Sequence, residues 1–195
     1  KNFVAWTWKS TSKFFDVVTY SGTGSARTLS HNLGSVPGMI IIKRLETTSD
    51  WNVYHRGINN GTNAASYFLT LNDPGAAGNS NSPFNGTAPT SSVFSLGGSS
   101  NTNNASGTYV AYLFGHENSL IQCGSYTGSS NAAQDITLGW RPQWVMLKKS
   151  NVSDDWRIFD TVRGNHKILE PNTSDAELSS SNWITPTSTG FTAGT

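Results

Sequence analysis

Six aromatic side chains are the residues of this sequence best suited to hold a ligand: Trp51, Tyr54, Trp140, Trp156, Phe159 and Trp183. Aromatic rings stack on the apolar faces of sugars, and tryptophan and tyrosine also present a polar edge. Packing in a core is the competing interpretation, and it is the favoured one for Trp51 and Trp156. Trp140 falls in a predicted turn and Trp183 follows a run of serines, so these two are the better surface candidates.

The side chains that usually carry catalysis lack the spacing that catalysis needs. Glycoside hydrolysis requires two carboxylates a few ångströms apart, whereas the acidic residues here mostly stand beside turns, where aspartate is common anyway. The histidines form neither an HxH nor an HExxH motif, and no GxSxG motif is present. We therefore predict that the chain is not an enzyme.

Metal and thiol chemistry have little support in the sequence. The adjacent acids Asp154 and Asp155 could hold a structural Ca²⁺, although a polar hairpin turn is the favoured interpretation. Cys123 is the single cysteine, which excludes an intrachain disulfide. No activating group stands near it in sequence, so we interpret it as a small buried apolar residue. We predict no metal site and no cofactor.

Composition limits the partners of the chain. Only 13% of the 195 residues are charged, and the net charge is +1. Glycine, serine, threonine and asparagine take the place of charged residues, and they favour turns and strands over helices. No basic run exceeds a pair, which argues against nucleic-acid binding. No apolar run approaches the length of a membrane span, so we predict no membrane insertion and an extracellular or particle-borne protein.

The candidate ligand residues lie within an internal repeat of the sequence. The segment LGSVPGMIIIKR, which starts at Leu33, matches LGWRPQWVMLKK, which starts at Leu138. In the same way FVAWTWK from Phe3 matches YVAYLFG from Tyr109, and SDWNVYHRG from Ser49 matches DDWRIFDTVRG further on. Self-similarity of this kind is typical of a tandem repeat.

We predict an all-β fold of two tandem, pseudo-symmetric copies, each a β-sandwich or jelly-roll-like unit of about 100 residues. The first copy covers residues 11–117. The second copy, residues 118–195, lacks its last strand. Residues 1–10 carry a strand that belongs to the end of a repeat, as the match between FVAWTWK and YVAYLFG indicates.

Seven phrases of the chain carry a family resemblance: FVAWTWK, HNLGSVPGMIIIKR, SDWNVYHRG, APTSSVFSLG, SGTYVAYLFG, GSYTGSS and LGWRPQWVMLKK. They resemble a family of virion proteins of bacteriophages, common in phages of marine bacteria and cyanobacteria and usually described as tail or tail-fibre proteins. The resemblance extends over essentially the whole chain. It implies a structural protein of the virion at the host-facing end of the tail, with other virion proteins and a host-surface glycan as partners. It carries over no catalytic residue.

Two other functions fit the same residues. A secreted carbohydrate-binding or lectin-like module would use the same aromatic side chains. A capsid decoration or fibre protein would need no ligand at all. The neighbouring genes and the location of the protein on the particle separate these functions.

Self-association is predicted from the segment Phe3 to Trp8, which is too apolar to stay in water. We expect this segment to pair, as a strand, with an open edge of the second copy, because main-chain pairing satisfies such an edge. The segment could come from the same chain or from a neighbour. A homo-oligomer is expected, with a trimer as its state.

Overall fold

A computed structural model describes residues 3–180 and 183–194 of the chain. Strands account for 34% of the chain and helices for 6%, so the predicted all-β class is confirmed. The strands are β1 Phe15–Ser21, β2 Arg27–Ser30, β3 Met39–Arg44, β4 Asn52–His55, β5 Tyr67–Thr70, β6 Gly78–Asn79, β7 Val93–Leu96, β8 Thr108–Phe114, β9 Gln134–Thr137, β10 Trp144–Leu147, β11 Arg157–Asp160, β12 Lys167–Ile168, β13 Leu178–Ser179, β14 Ile184–Pro186 and β15 Gly190–Ala193. Short 3-10 turns span Ile58–Gly61 and Ala64–Ser66, and the one-turn helix α1 spans Ser100–Asn103.

The first half of the chain is built on an antiparallel sheet of six strands in the order β1-β8-β3-β4-β5-β6, and β2 and β7 form a second layer. The sequence of β3 explains this arrangement, because its alternate side chains enter two cores. Ile40 and Ile42 pack with Phe94 of β7 in the core between the layers. Met39 and Ile41 point to the opposite face. β3 is thus buried on both faces, as its continuous apolar sequence predicts.

The second half contains the three-stranded sheet β14-β15-β9 and the pairs β10–β11 and β12–β13. Phe159, Ile168 and Phe191 lie at the centre of a core of its own. In three strand pairs of the second half, the residues that lie opposite each other correspond to opposed residues in a strand pair of the first half. The matching pairs are Met39–His55 with Trp144–Asp160, Leu29–Phe94 with Ile136–Phe191, and Phe68–Gly78 with Ile168–Leu178.

An asparagine holds the start of a strand in the same way in each half. The side-chain oxygen of Asn72 accepts a hydrogen bond from the backbone N–H of Trp51 at 2.8 Å. Asn172 accepts one from the backbone N–H of Trp156, also at 2.8 Å. The side-chain amide of each asparagine donates to the aspartate that precedes the tryptophan. The local hydrogen bonding of the Asp-Trp segments is therefore the same in both halves.

The two halves meet at a core that contains Cys123. The cysteine is buried with Phe15, Met146 and Trp156, which confirms its predicted structural role. A Cβ atom added to Gly38 would lie only 2.8 Å from the Cys123 sulfur, so glycine is what permits this close approach. Burial raises the pKa of the thiol to about 12, which leaves it un-ionised at neutral pH.

Residues 121–127 differ from β1, their counterpart in the repeat. The turn before them is the same, because Ser119 has φ 67° where Lys13 has φ 64°. Residues 121–127 nevertheless form no strand like β1. β1 is paired with β8, whereas no strand of the described residues lies beside 121–127. Extended backbone without a partner strand does not form a ladder.

Residues 3–10 also form no strand in this chain. They make no backbone–backbone hydrogen bond with another described residue, and Phe3 is 88% exposed. The strand predicted within residues 1–10 is therefore not formed within the single chain, and residues 1 and 2 lie outside the described part. The segment was expected to pair with an open edge of the second copy, and strand β10 there has β11 on one side and no described strand on the other.

Candidate functional site

Three of the six predicted ligand residues lie inside the protein. Tyr54 and Trp156 are each 4% exposed and Phe159 is 2% exposed. The indole N–H of Trp156 donates to the backbone oxygen of Thr70 at 2.9 Å. A ring without a free face cannot stack on a sugar. Trp156 and Phe159 therefore have a role in packing, and Tyr54 is packed in the core while it also borders the groove described below.

The other three predicted residues are half-buried and do not form one surface. Trp51 packs on the core between the halves and stacks on Tyr112, with ring centroids 6.5 Å apart and planes at 13°. Trp183 packs on the core of the second half, and the guanidinium of Arg157 lies 3.9 Å from its ring centroid. Trp140 lies in the loop before β10 and is half-buried like the other two, with its indole nitrogen inside the protein.

A groove of about 360 Å³ opens on the first half of the chain. We call it the Arg56 groove. Its walls come from the loop before β3, the end of β4, the 3-10 turns and the loop before β7. Side chains and backbone along it include Val36, Pro37, Tyr54, Arg56, Asn63 and Pro89. The groove therefore places the cationic side chain of Arg56 beside a largely apolar and otherwise uncharged surface.

Left-handed backbone shapes two walls of the Arg56 groove. Residues 59–61 and Asn63 have φ between 49° and 80°, and Asn85 and Gly86 have φ of 56° and 57°. Asparagine and glycine accept this conformation more readily than other residues. The Asn-Gly pairs are recognisable in the sequence as turn signals. Their convergence on one groove is visible only in three dimensions.

Arg56 supplies the charge of the groove. It forms no salt bridge with a carboxylate among residues 3–180 and 183–194. Burial, followed by the nearby guanidinium, lowers the pKa of His55 to about 4, and the same two causes lower the pKa of His116. Both imidazoles are neutral at pH 7, and each accepts a backbone hydrogen bond at Nδ1, from Gly57 and Cys123, at 3.1 Å. The positive charge of Arg56 thus has neutral histidines beside it and no anion.

This combination suits a ligand that carries both an anionic group and apolar faces. A guanidinium binds a carboxylate, sulfate or phosphate group through two parallel hydrogen bonds. The exposed apolar side chains of Val36 and Ala88 offer contact to the C–H face of a sugar ring. Arg56 is not recognisable from the sequence as a ligand-binding residue, because a single arginine after a strand indicates no function until its neighbours in the fold are known.

A second cluster lies at the start of β10 and consists of Trp6, Trp8 and Trp144. We call it the tryptophan edge. The ring centroid of Trp144 lies 6.5 Å from that of Trp6 and 5.9 Å from that of Trp8, and both contacts are edge-to-face. Trp8 also contacts Phe15 and Phe114 of the first half, at 5.9 and 5.7 Å. Trp144 is not among the residues predicted from the sequence to form a site, although its alignment with Met39 of the buried strand β3 indicates an apolar contact at this position.

Charged side chains at the tryptophan edge neutralise one another. Arg163 donates to Asp160 at 2.6 Å and to Glu177 at 2.9 Å, and its guanidinium lies 5.8 Å from the ring centroid of Trp6. Burial opposes the ionisation of Asp160, but the hydrogen bonds from Arg163 hold its pKa below the usual value. The apolar character of the three tryptophans therefore dominates this surface.

The acids considered for Ca²⁺ are engaged by other groups. Asp154 forms salt bridges with Lys149 at 2.8 Å and with Arg157 at 3.0 Å. The hydrogen bonds from these two cations hold its pKa far below the usual range. In residues 3–180 and 183–194, no three His, Cys, Asp or Glu side chains are grouped so as to hold a metal ion. None of the helices in the described ranges has the length and apolarity to cross a membrane.

Comparison with known proteins gives one match. A family model described as a domain of unknown function (DUF7483) matches residues 1–195. Neither the curated proteins nor the solved structures yield a match.

Proposed function

Since the chain belongs along its whole length to the DUF7483 family of domains of unknown function, we propose its function from its own residues: it is a structural protein of a bacteriophage virion, a tail-fibre module that faces the host. Its surface carries few charges and many neutral polar loops, as a protein exposed on a particle does. The phrases that resemble phage tail proteins, such as HNLGSVPGMIIIKR and SGTYVAYLFG, support the same proposal.

The proposal includes the finer architecture. The chain consists of two copies of one sandwich-like repeat. The shared register of three ladder pairs and the repeated asparagine hydrogen bonds support it. Repeated modules of this kind build long, regular particle appendages without a catalytic centre.

The observation that carries host attachment is the Arg56 groove. An exposed guanidinium without a carboxylate partner among the described residues stands beside apolar side chains in a groove of about 360 Å³. We assign this groove to a host-surface glycan that bears a carboxylate, sulfate or phosphate group. The anionic group would bind Arg56, and the sugar face would lie on Val36 and Ala88.

Binding of the purified chain to acidic and neutral surface polysaccharides tests this assignment. We expect saturable binding to acidic polysaccharide that weakens as salt is added. Arg56→Ala should weaken it by about tenfold or more, since charge-assisted hydrogen bonds contribute roughly 1.5–3 kcal/mol. Arg141→Ala removes an exposed arginine of the second half and should leave binding unchanged. Equal binding of both variants and the parent would contradict the assignment.

Localisation tests the virion proposal itself. Antibodies against the chain should label the tail of purified phage particles in electron micrographs. The Arg56 groove would serve a secreted carbohydrate-binding module equally well, and that alternative predicts the protein in the medium and not on particles. Label on the capsid would instead assign the chain to the decoration or fibre proteins.

A further inference from the structure

Strand β10 has one edge without a partner strand among the described residues, and this edge has no role in the proposed function. In the first half, β8 lies between β1 and β3 and is hydrogen-bonded to both. In the second half, β10 corresponds to β3 and residues 121–127 correspond to β1. No strand of the described residues lies between them. A slot for one strand is therefore present in the second half.

The core of the second half lacks the side chains that such a strand would supply. Tyr109, Ala111 and Leu113 of β8 are fully buried in the core of the first half. The corresponding core of the second half contains no equivalents of these three residues. A strand that fills the slot must thus carry an aromatic residue, a small residue and a third side chain at alternate positions.

The segment Phe3–Lys9 has this pattern. FVAWTWK aligns with YVAYLFG of β8, so Phe3, Ala5 and Thr7 take the places of Tyr109, Ala111 and Leu113. The other alternate positions, Trp6 and Trp8, would face the first half, as Tyr112 and Phe114 do. Within the single chain Trp8 contacts Phe15, Phe114 and Trp144, and the segment of a second copy would displace it from Trp144.

The connectivity of the repeat identifies which copy supplies the segment. β8 completes the first half, and the turn at Glu117–Ile121 then leads into the second half. The same turn, at Thr11–Phe15, leads from Phe3–Lys9 into the first half. A strand of this type thus completes the unit that precedes it in an array. By this rule a strand that precedes such a turn completes the second half, and Phe3–Lys9 of a second copy is a strand segment of this kind.

We propose that the edge of β10 is an acceptor for Phe3–Lys9 of a second copy of this module, which joins copies head to tail. The register follows from the ladder of β3 with β8, in which Met39 pairs with Phe114 and Lys43 with Val110. Trp8 then lies opposite Trp144, and Val4 lies opposite Lys148. Such a heterologous contact closes into a ring or extends into a fibre, and a ring of three is the expected trimer.

Site-directed cross-linking tests the register. One chain carries Val4→Cys and the other Lys148→Cys, both with Cys123→Ala, and the two are mixed and mildly oxidised. Opposed residues of an antiparallel pair are within disulfide reach. We expect a linked dimer whose yield rises with protein concentration. The matched control is Lys43→Cys, the same position of the first half, where β8 already occupies the edge, and it should link little or not at all.

Three results would overturn the proposal. They are equal linking to Lys43→Cys and Lys148→Cys, no linking at any concentration, and linking within a single chain of the double variant at a rate independent of concentration. The last result would assign the slot to the chain's own segment. A labelled peptide of residues 1–13 provides a second measurement on the unmodified chain. It should bind saturably, whereas a peptide of the same composition with the alternation broken should not, and equal behaviour would also contradict the proposal.

This inference does not rest on the proposed function, because it uses only register and connectivity. Failure of the cross-linking would leave glycan binding and virion localisation untouched. Failure of glycan binding would likewise leave the strand exchange standing.

Discussion

The indole ring of Trp8 lies edge-on to that of Trp144, with ring centroids 5.9 Å apart and ring planes at 82°. At the same two positions of the first half, Phe114 and Met39 are ladder partners in β8 and β3. The contact between the tryptophans therefore joins two positions that the repeat expects to be opposite each other. In the single chain they touch through side chains only, since residues 3–10 make no backbone hydrogen bond with a described residue.

Replacement of Trp8 should destabilise the single chain. Trp8 contacts Phe15, Phe114 and Trp144 although it is 38% exposed. A fully buried tryptophan costs about 3–5 kcal/mol on truncation, so we expect Trp8→Ala to lower the free energy of unfolding by roughly 2 kcal/mol. Phe3→Ala is the control, because Phe3 is almost fully exposed, and at low concentration it should change nothing. Urea denaturation of dilute protein measures both, and equal losses for the two variants would contradict this account.

The two asparagine contacts predict matched effects in the two halves. Asn72→Ala and Asn172→Ala each leave a backbone N–H of a tryptophan without its partner. We expect each to cost about 1–2 kcal/mol, with the larger loss for Asn172, whose contact with Trp156 is less exposed. Asn131→Ala, in an exposed loop, is the control. Thermal unfolding measures the series, and a loss confined to one half would show that the contacts are not equivalent.

Gly190 is required by the close pairing of β15 with β9. A Cβ atom at this position would lie 1.9 Å from the backbone oxygen of Ile136, so Gly190→Ala must displace one strand. We expect a loss of roughly 2 kcal/mol or more, in the range of overpacking in a core. A Cβ atom at Gly128 would have no neighbour within 4 Å, and Gly128→Ala should be neutral within about 0.5 kcal/mol. Chemical denaturation of Gly190→Ala and Gly128→Ala measures the two losses, and equal losses would contradict this explanation.

His55 predicts a pH dependence of stability. Its pKa is about 4 in the folded chain and about 6.5 in an unfolded one, so protons bind more tightly to the unfolded state. The contribution is complete above pH 6.5 and declines as the pH falls towards 4. We expect a loss of order 2 kcal/mol across this window, and His116, whose pKa is also lowered, acts in the same direction.

His55→Gln keeps an acceptor for the backbone N–H of Gly57 and removes the titration. The variant should lose much less stability than the parent between pH 6.5 and 4.5, above the range in which most carboxylates titrate. Denaturation midpoints at several pH values provide the comparison. Parallel curves for the variant and the parent would show that His55 does not carry the effect.

The sequence predicts those features that depend on local patterns. The continuous apolar runs of β3 and β10 predict strands, and Cys123 is buried, as its interpretation as a small apolar residue indicates. Residues 3–9, which match β8, and residues 121–127, which match β1, form no strand, because a strand needs a partner and a sequence does not show where the partner is. The burial of Tyr54 and Phe159 and the exposure of Arg56 depend on how the layers stack, so a count of aromatic residues could not place the groove.

Hydrogen exchange of β10 as a function of protein concentration is the most direct test of the claim that its edge accepts a strand. The backbone amides of β3 are protected by β8 and β4 on both sides, and they serve as the internal standard. We predict that the amides of Val145–Leu147 that point away from β11 exchange quickly in dilute protein. They should approach the protection of Ile40–Ile42 as the chain associates, and Phe3→Ala should shift this transition to higher concentration. Exchange of β10 that stays fast at every concentration, while the chain associates, would contradict the account.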